Sequence, residues 1–223
     1  MYIFKTQLDN QKPLDYSDFD ENNVIYQQGQ FLDQYSILFE KVRKDKNEKE
    51  EQAVLNVRFS PSMFEELVQF NVEINSIDVS DDTPKDVTVN WKMYDGFDPK
   101  GEFFTDSNGL EMQKRVVEKR NFDAEVKNFS LESPIPRNYY PVASAISMRD
   151  NNGSNVQVTI MNDRTQGGTA DVQNKAAIEL MQHRRSTRED TRNGFDQQNN
   201  EVDLETMKGL RANAVYYMQI FDF

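Results

Sequence analysis

A single histidine, His183, stands beside two arginines, Arg184 and Arg185, and the chain holds no cysteine. Without thiols there is neither a disulfide nor a thiolate metal site, although secretion is still open to a domain with an adequate core. The adjacent acids Asp81-Asp82 and Glu189-Asp190 carry groups suited to acid-base work, but neighbours in a loop seldom converge on one substrate atom. No Gly-rich phosphate loop, nucleophile elbow or His-x-x-x-His string occurs. His183 therefore reads as a hydrogen-bonded packing residue, and the arginine pair as salt-bridge partners of Glu189 or Asp190. Asp106 and Asn108 read as turn formers through side-chain bonds to nearby amides. In the string Asp163 to Gly168, Gln166, Gly167 and Gly168 read as a turn whose glycines permit close backbone approach.

The elements that must position these residues are strands. Val142, Ser144, Ile146 and Met148 alternate with other residues, as do Val156, Val158 and Ile160, and period two marks a half-buried sheet. Between them Asp150-Asn151-Asn152-Gly153-Ser154 tolerates positive φ, so a hairpin is predicted. Further strands are predicted at about Val24 to Gln28, Phe31 to Lys41, Ala53 to Phe59, Val68 to Ile74, Val87 to Met93, Leu110 to Arg120 and Leu210 to Phe221. The charged run Arg43 to Gln52 reads as a solvated loop or hairpin tip, Phe104 to Gly109 as a turn, and 186–203 as a long polar surface loop. Asp171 to Met181 is the best helix candidate, although Ala176 to Met181 suits a strand as well. The fold class is mostly β: one region over 1–223 forming an antiparallel β-sandwich of about ten to twelve strands.

Composition bounds the function. With 37% hydrophobic and 29% charged residues the chain is globular, and a mean hydropathy of −0.81 demands long polar loops. A net charge of −12 repels nucleic acid and anionic membrane surfaces. The start, MYIFKTQLDN, has too short an apolar run for a signal peptide, and no stretch reaches the length of a membrane span. Sequons at Asn128 and Asn152 matter only if the protein is secretory.

Seven strings, in order, resemble the lysosomal-type α-mannosidases of glycoside hydrolase family 38: Tyr2-Ile3-Phe4 followed by QKPL, FTDSNG at Phe104 to Gly109, NYYPV at Asn138 to Val142, DRTQGG at Asp163 to Gly168, ELMQHRR at Glu179 to Arg185, the acidic string Glu189 to Arg192, and Gly209-Leu210 with Tyr216-Tyr217 downstream. The resemblance implies a β-sandwich region that supports a catalytic barrel absent from this chain. That barrel would carry the zinc and the carboxylate nucleophile. A zinc site of the family's kind needs two histidines, and this chain has one, so no catalytic or metal-binding residue is assigned here and no cofactor is expected within it. By the same resemblance Tyr2 reaches into the mannose site and hydrogen-bonds the sugar, and Arg184 or Arg185 lies near the glycan-binding cleft.

The implied partners are a barrel polypeptide, or other chains covering exposed sheet edges, and a mannose-containing glycan. The implied compartment is lysosomal or secretory. Two alternatives remain open: a mannosidase-derived structural subunit of a larger assembly without catalysis, and an independent glycan-binding module.

Overall fold

The computed structural model describes residues 24–30, 32–43, 48–59, 67–76, 85–117, 138–171, 176–185, 203, 205 and 208–222, with the side chains of 41–43, 48–52, 85, 107 and 185 excepted. Thirteen strands run through these residues, in two antiparallel sheets of nine and four strands, with no α-helix among them. The sandwich expected from the alternation is therefore present, one strand richer than the upper expected count. Among the described residues no helix is long and apolar enough to cross a membrane.

The chain divides into two compact units. One comprises Asn90–Leu180 and the chain's two ends. Within it β6 (Glu102–Ser107), β7 (Glu111–Val116), β9 (Ala145–Arg149) and β10 (Val156–Asn162) lie side by side, and β11 (Gln166–Ala170) lies between β8 (Tyr140–Val142) and β12 (Ala177–Arg185). Val158 faces Met148 and Ile160 faces Ile146 across the β9–β10 hairpin, so the apolar residues of both strands share one face. They meet Phe103, Val142, Ala170, Ile178 and Leu180 in a core from which water is excluded. Phe103 of β6 packs edge-on against Tyr140 of β8 with ring centroids 5.8 Å apart, a link between the two layers. Arg115 lies over the same Tyr140 ring at 4.5 Å and donates to the Thr105 hydroxyl at 3.0 Å, which satisfies that buried oxygen.

The other unit comprises Asp18–Val89 and Met181–Tyr216. Its centre is an antiparallel meander of β1 (Val24–Gln27), β2 (Asp33–Arg43), β3 (Glu48–Phe59) and β4 (Leu67–Ile74). Alternation puts Val24, Tyr35, Ile37, Leu55, Val57, Phe70 and Val72 on one face and glutamines, asparagines and Arg58 on the other. β5 (Lys85–Lys92), β12 and β13 (Ala212–Asp222) run through the boundary residues of both units.

Three local expectations change. The run Arg43 to Gln52 is largely strand: β2 extends to Arg43 and β3 starts at Glu48, with Arg43 opposite Glu48 and Val42 opposite Lys49, cross-strand neighbours in a long hairpin. Phe104 to Ser107 belongs to β6, and only Asn108 and Gly109, both at positive φ, make the turn. Of the two readings left open for Ala176 to Met181, the strand holds from Ala177 on. Gln166 to Gly168 is the start of β11 and not a turn, and neither glycine there has positive φ. Residues 186–202 and both Asp81-Asp82 and Glu189-Asp190 lie outside the described residues.

Candidate functional site

Three buried aspartates organise the loops of the first unit. Asp106, at the end of β6 and 4% exposed, accepts with Oδ1 from the amides of Ala143, Ser144 and Ala145 at 2.9, 2.9 and 3.1 Å. Its Oδ2 accepts from the Gly109 amide at 3.0 Å and the Ser144 hydroxyl at 2.8 Å. Burial pushes this carboxyl upward, but the Ser144, Ala145 and Gly109 donors outweigh it and hold its pKa below the usual value. The same bonds break the alternating stretch Val142 to Met148 into β8 and β9, because amides turned toward Asp106 cannot also join a ladder.

Asp150, after β9, accepts from the Ser154 hydroxyl and from the amides of Asp98 and Asn152, both at 3.0 Å. Those donors, Ser154 foremost, lower its pKa. Asp171 accepts from Gly101 at 2.8 Å and Ala176 at 3.0 Å. Each carboxylate accepts from donors in its own surroundings, and Asp106 and Asp150, held ionised by theirs, are poor proton donors to a substrate. The sequence marks Asp106 as a turn former, which holds for Gly109. Its hold on residues 143–145, far along the chain, left no local signal beyond an Asp two places before an Asn-Gly pair.

Of the arginine pair the side chain of Arg184 is described, whereas the expected partners Glu189 and Asp190 lie outside the described residues. Arg184 on β12 pairs through Nε with Asp86 of β5 at 3.1 Å, with its side chain 38% exposed. Burial raises the Asp86 pKa, and Arg184 pulls it back down only in part. A raised folded-state pKa means that Asp86 stabilises the fold most when protonated, and that this contribution is lost as pH rises through that pKa. Arg184→Ala is accordingly expected to cost about 1 kcal/mol or less in urea unfolding at neutral pH, since half-exposed ion pairs are worth little. A loss several times larger would show that Arg184 supports more than this pair. His183 donates through Nε2 to the Leu210 carbonyl at 3.2 Å, as a packing histidine would. The backbone of Arg185 continues β12, and its side chain, like the whole of Tyr2, lies outside the described residues.

Among the described residues no group of three or more His, Cys, Asp or Glu side chains is arranged to hold a metal ion. The described portion thus defines the class of antiparallel β-sandwich domains whose buried acids build loops. The chain belongs to the glycosyl hydrolases family 38 C-terminal domain family, whose model matches residues 2–192. It is 41% identical to lysosomal α-mannosidase of Bos taurus over 93 residues, 42% of this chain and 8% of the relative. It is 38% identical to lysosomal α-mannosidase of Homo sapiens over the same length, 42% of this chain and 8% of that protein. An α-mannosidase of Arabidopsis thaliana is 33% identical over 149 residues, 66% of this chain and 13% of the relative. The matched segment is thus a small part of each relative. Among solved structures, a galactose mutarotase related enzyme from Lactobacillus acidophilus aligns over 89% of this chain and 71% of its own, with 11% identity and a TM-score of 0.37, too low to carry an argument.

Proposed function

We propose that this chain is a non-catalytic β-sandwich portion of an α-mannosidase, supporting a catalytic barrel supplied outside it, in an enzyme that removes terminal α-mannosides from glycans. The observation that carries the reading is the family match over 2–192, joined to relatives that are α-mannosidases far longer than the matched segment. The described residues do not fit a zinc ion, so the zinc of that reaction is assigned to the barrel and no step is derived through it. In this reading Tyr2, at the start of the matched span, reaches the mannose site and hydrogen-bonds the sugar. Arg184 and Arg185 contribute from β12 near the glycan-binding cleft. Lysosomal or secretory delivery accompanies the whole enzyme.

The experiment is recovery of the tagged chain from its source under native conditions. A zinc-containing polypeptide and turnover of an aryl α-mannoside are expected in the same fraction. Recovery with non-glycosidase proteins alone, and no turnover, would overturn the proposal in favour of a structural subunit. If the barrel polypeptide is in hand, Tyr2→Phe is expected to raise KM several-fold in the assembly while leaving unfolding of the chain unchanged; an unaltered KM would remove Tyr2 from the site.

A further inference from the structure

On the polar face of the β1–β4 meander, the strand register aligns four side chains in one cross-strand row. Gln27 is opposite Gln34, Gln34 is opposite Arg58, and Arg58 is opposite Gln69. The row crosses three strand spacings, about 14 Å. It forms the floor of a cavity of about 310 Å³, whose rim is Gln28, Gly29 and Leu32 from the β1–β2 turn. Leu32 is 53% exposed and supplies an apolar wall.

The row is held in place from within. Gln34 Nε2 donates to the Ser36 hydroxyl at 2.9 Å and to Asn56 Oδ1 at 3.2 Å, and Gln34 Oε1 accepts from Arg58 Nε at 2.7 Å. That bond holds the guanidinium by its Nε beside the cavity that Arg58 lines. In a chain with 38 acidic and 26 basic residues, no carboxylate pairs with Arg58 among the described residues, and none lines the cavity. The rim is hydrogen-bonded as well. Asp33, buried behind the turn, accepts from the Gly29 amide at 3.2 Å and the Tyr26 hydroxyl at 3.1 Å. A Cβ on Gly29 would sit 2.3 Å from the Leu32 carbonyl oxygen, so only glycine fits that bend. A pre-ordered cleft loses less entropy on binding.

A primary amide offers one acceptor and two donors side by side, the pattern that vicinal hydroxyls complement, and a guanidinium fork donates to such hydroxyls as well. The amides of Gln27 and Gln69 at the two ends of the row and the Arg58 guanidinium between them, without a carboxylate and with an apolar wall for C–H groups, match a short run of neutral sugar units. A net charge of −12 works against an anionic ligand. We propose that the Gln27–Gln34–Arg58–Gln69 row is a binding cleft for a neutral oligosaccharide of two or three units. The proposal does not rest on the mannosidase reading, which uses no residue of β1–β4, so either can fail while the other stands.

The test is titration of the ¹⁵N-labelled 223-residue chain with mannobiose, lactose and cellobiose, with glucuronate and inorganic phosphate as charged probes. The expected result is saturable movement of the Gln27 and Gln69 side-chain amide signals with at least one neutral disaccharide at millimolar concentration. Gln69→Ala and Gln27→Ala are each expected to weaken that binding fivefold or more. Gln27 lies on the edge strand β1, so its loss leaves the fold intact, as unchanged backbone amide shifts of Leu55, Val57 and Val72 in the same meander would verify. No saturable shift with any neutral sugar, binding of glucuronate or phosphate alone, or affinities untouched by both substitutions would each overturn the proposal.

Discussion

Asp106→Ala is expected to lower the unfolding free energy by about 3 kcal/mol or more, from the worth of hydrogen bonds to a charged group and the cost of stranding buried donors. Five donors converge on this carboxylate, from the Asn-Gly turn after β6 and from the β8–β9 junction. Removing it strands amides that a buried junction cannot turn toward water. Urea denaturation at neutral pH reads the loss. Asp106→Asn is expected to recover part of it, since one amide oxygen can still accept while its NH₂ opposes the remaining donors. The parent chain carries a pH signature of the same bonds. Because the folded-state pKa of Asp106 is depressed, its contribution is fully present above the ordinary value of 3.8 and is lost as pH falls through the lowered one. Asp106→Asn should flatten that part of the acid limb. An Asp106→Ala variant as stable as the parent would mean that the junction is held by other contacts.

Gly168→Ala is expected to destabilise the chain by about 1–3 kcal/mol through overpacking. An added Cβ would lie 2.7 Å from Leu180 Cδ2 and 2.7 Å from Val142 Cγ2, both fully buried and unable to move aside cheaply. The neighbouring Gly167 is the internal control. There a Cβ meets only Tyr139 Cδ1 at 3.4 Å, an ordinary contact, so Gly167→Ala should stay within about 0.5 kcal/mol of the parent. Equal effects at the two sites would remove close packing as the reason for Gly168.

These two positions show where the sequence stops being readable. Period-two alternation marks β1 to β5, the β9–β10 hairpin and β13, because one side of each of those strands meets a core and the other does not. The Gly167-Gly168 pair carries no alternation to read, and its glycines suggest a turn. What selects Gly168 is the distance between β8 and β12, which only tertiary packing sets. Likewise Val142 to Met148 alternates without interruption, and the break within it is imposed by Asp106 from another strand. The arginine pair was legible as an ion-pair candidate, and Arg184 takes one partner from β5, far along the chain, which no local signal announces. The polar row of β1–β4 lies on solvent-facing positions, where alternation says only that a residue points away from the core; registry across four strands brings Gln27 and Gln69 into one cleft.

In the proposed function this chain supplies architecture, and bond cleavage belongs to the barrel. Purified chain with no companion polypeptide, loaded with zinc and offered an aryl α-mannoside, tests that division most directly. No hydrolysis above the uncatalysed rate is expected, with activity appearing once a barrel polypeptide is added. Sustained turnover by the isolated chain would contradict it.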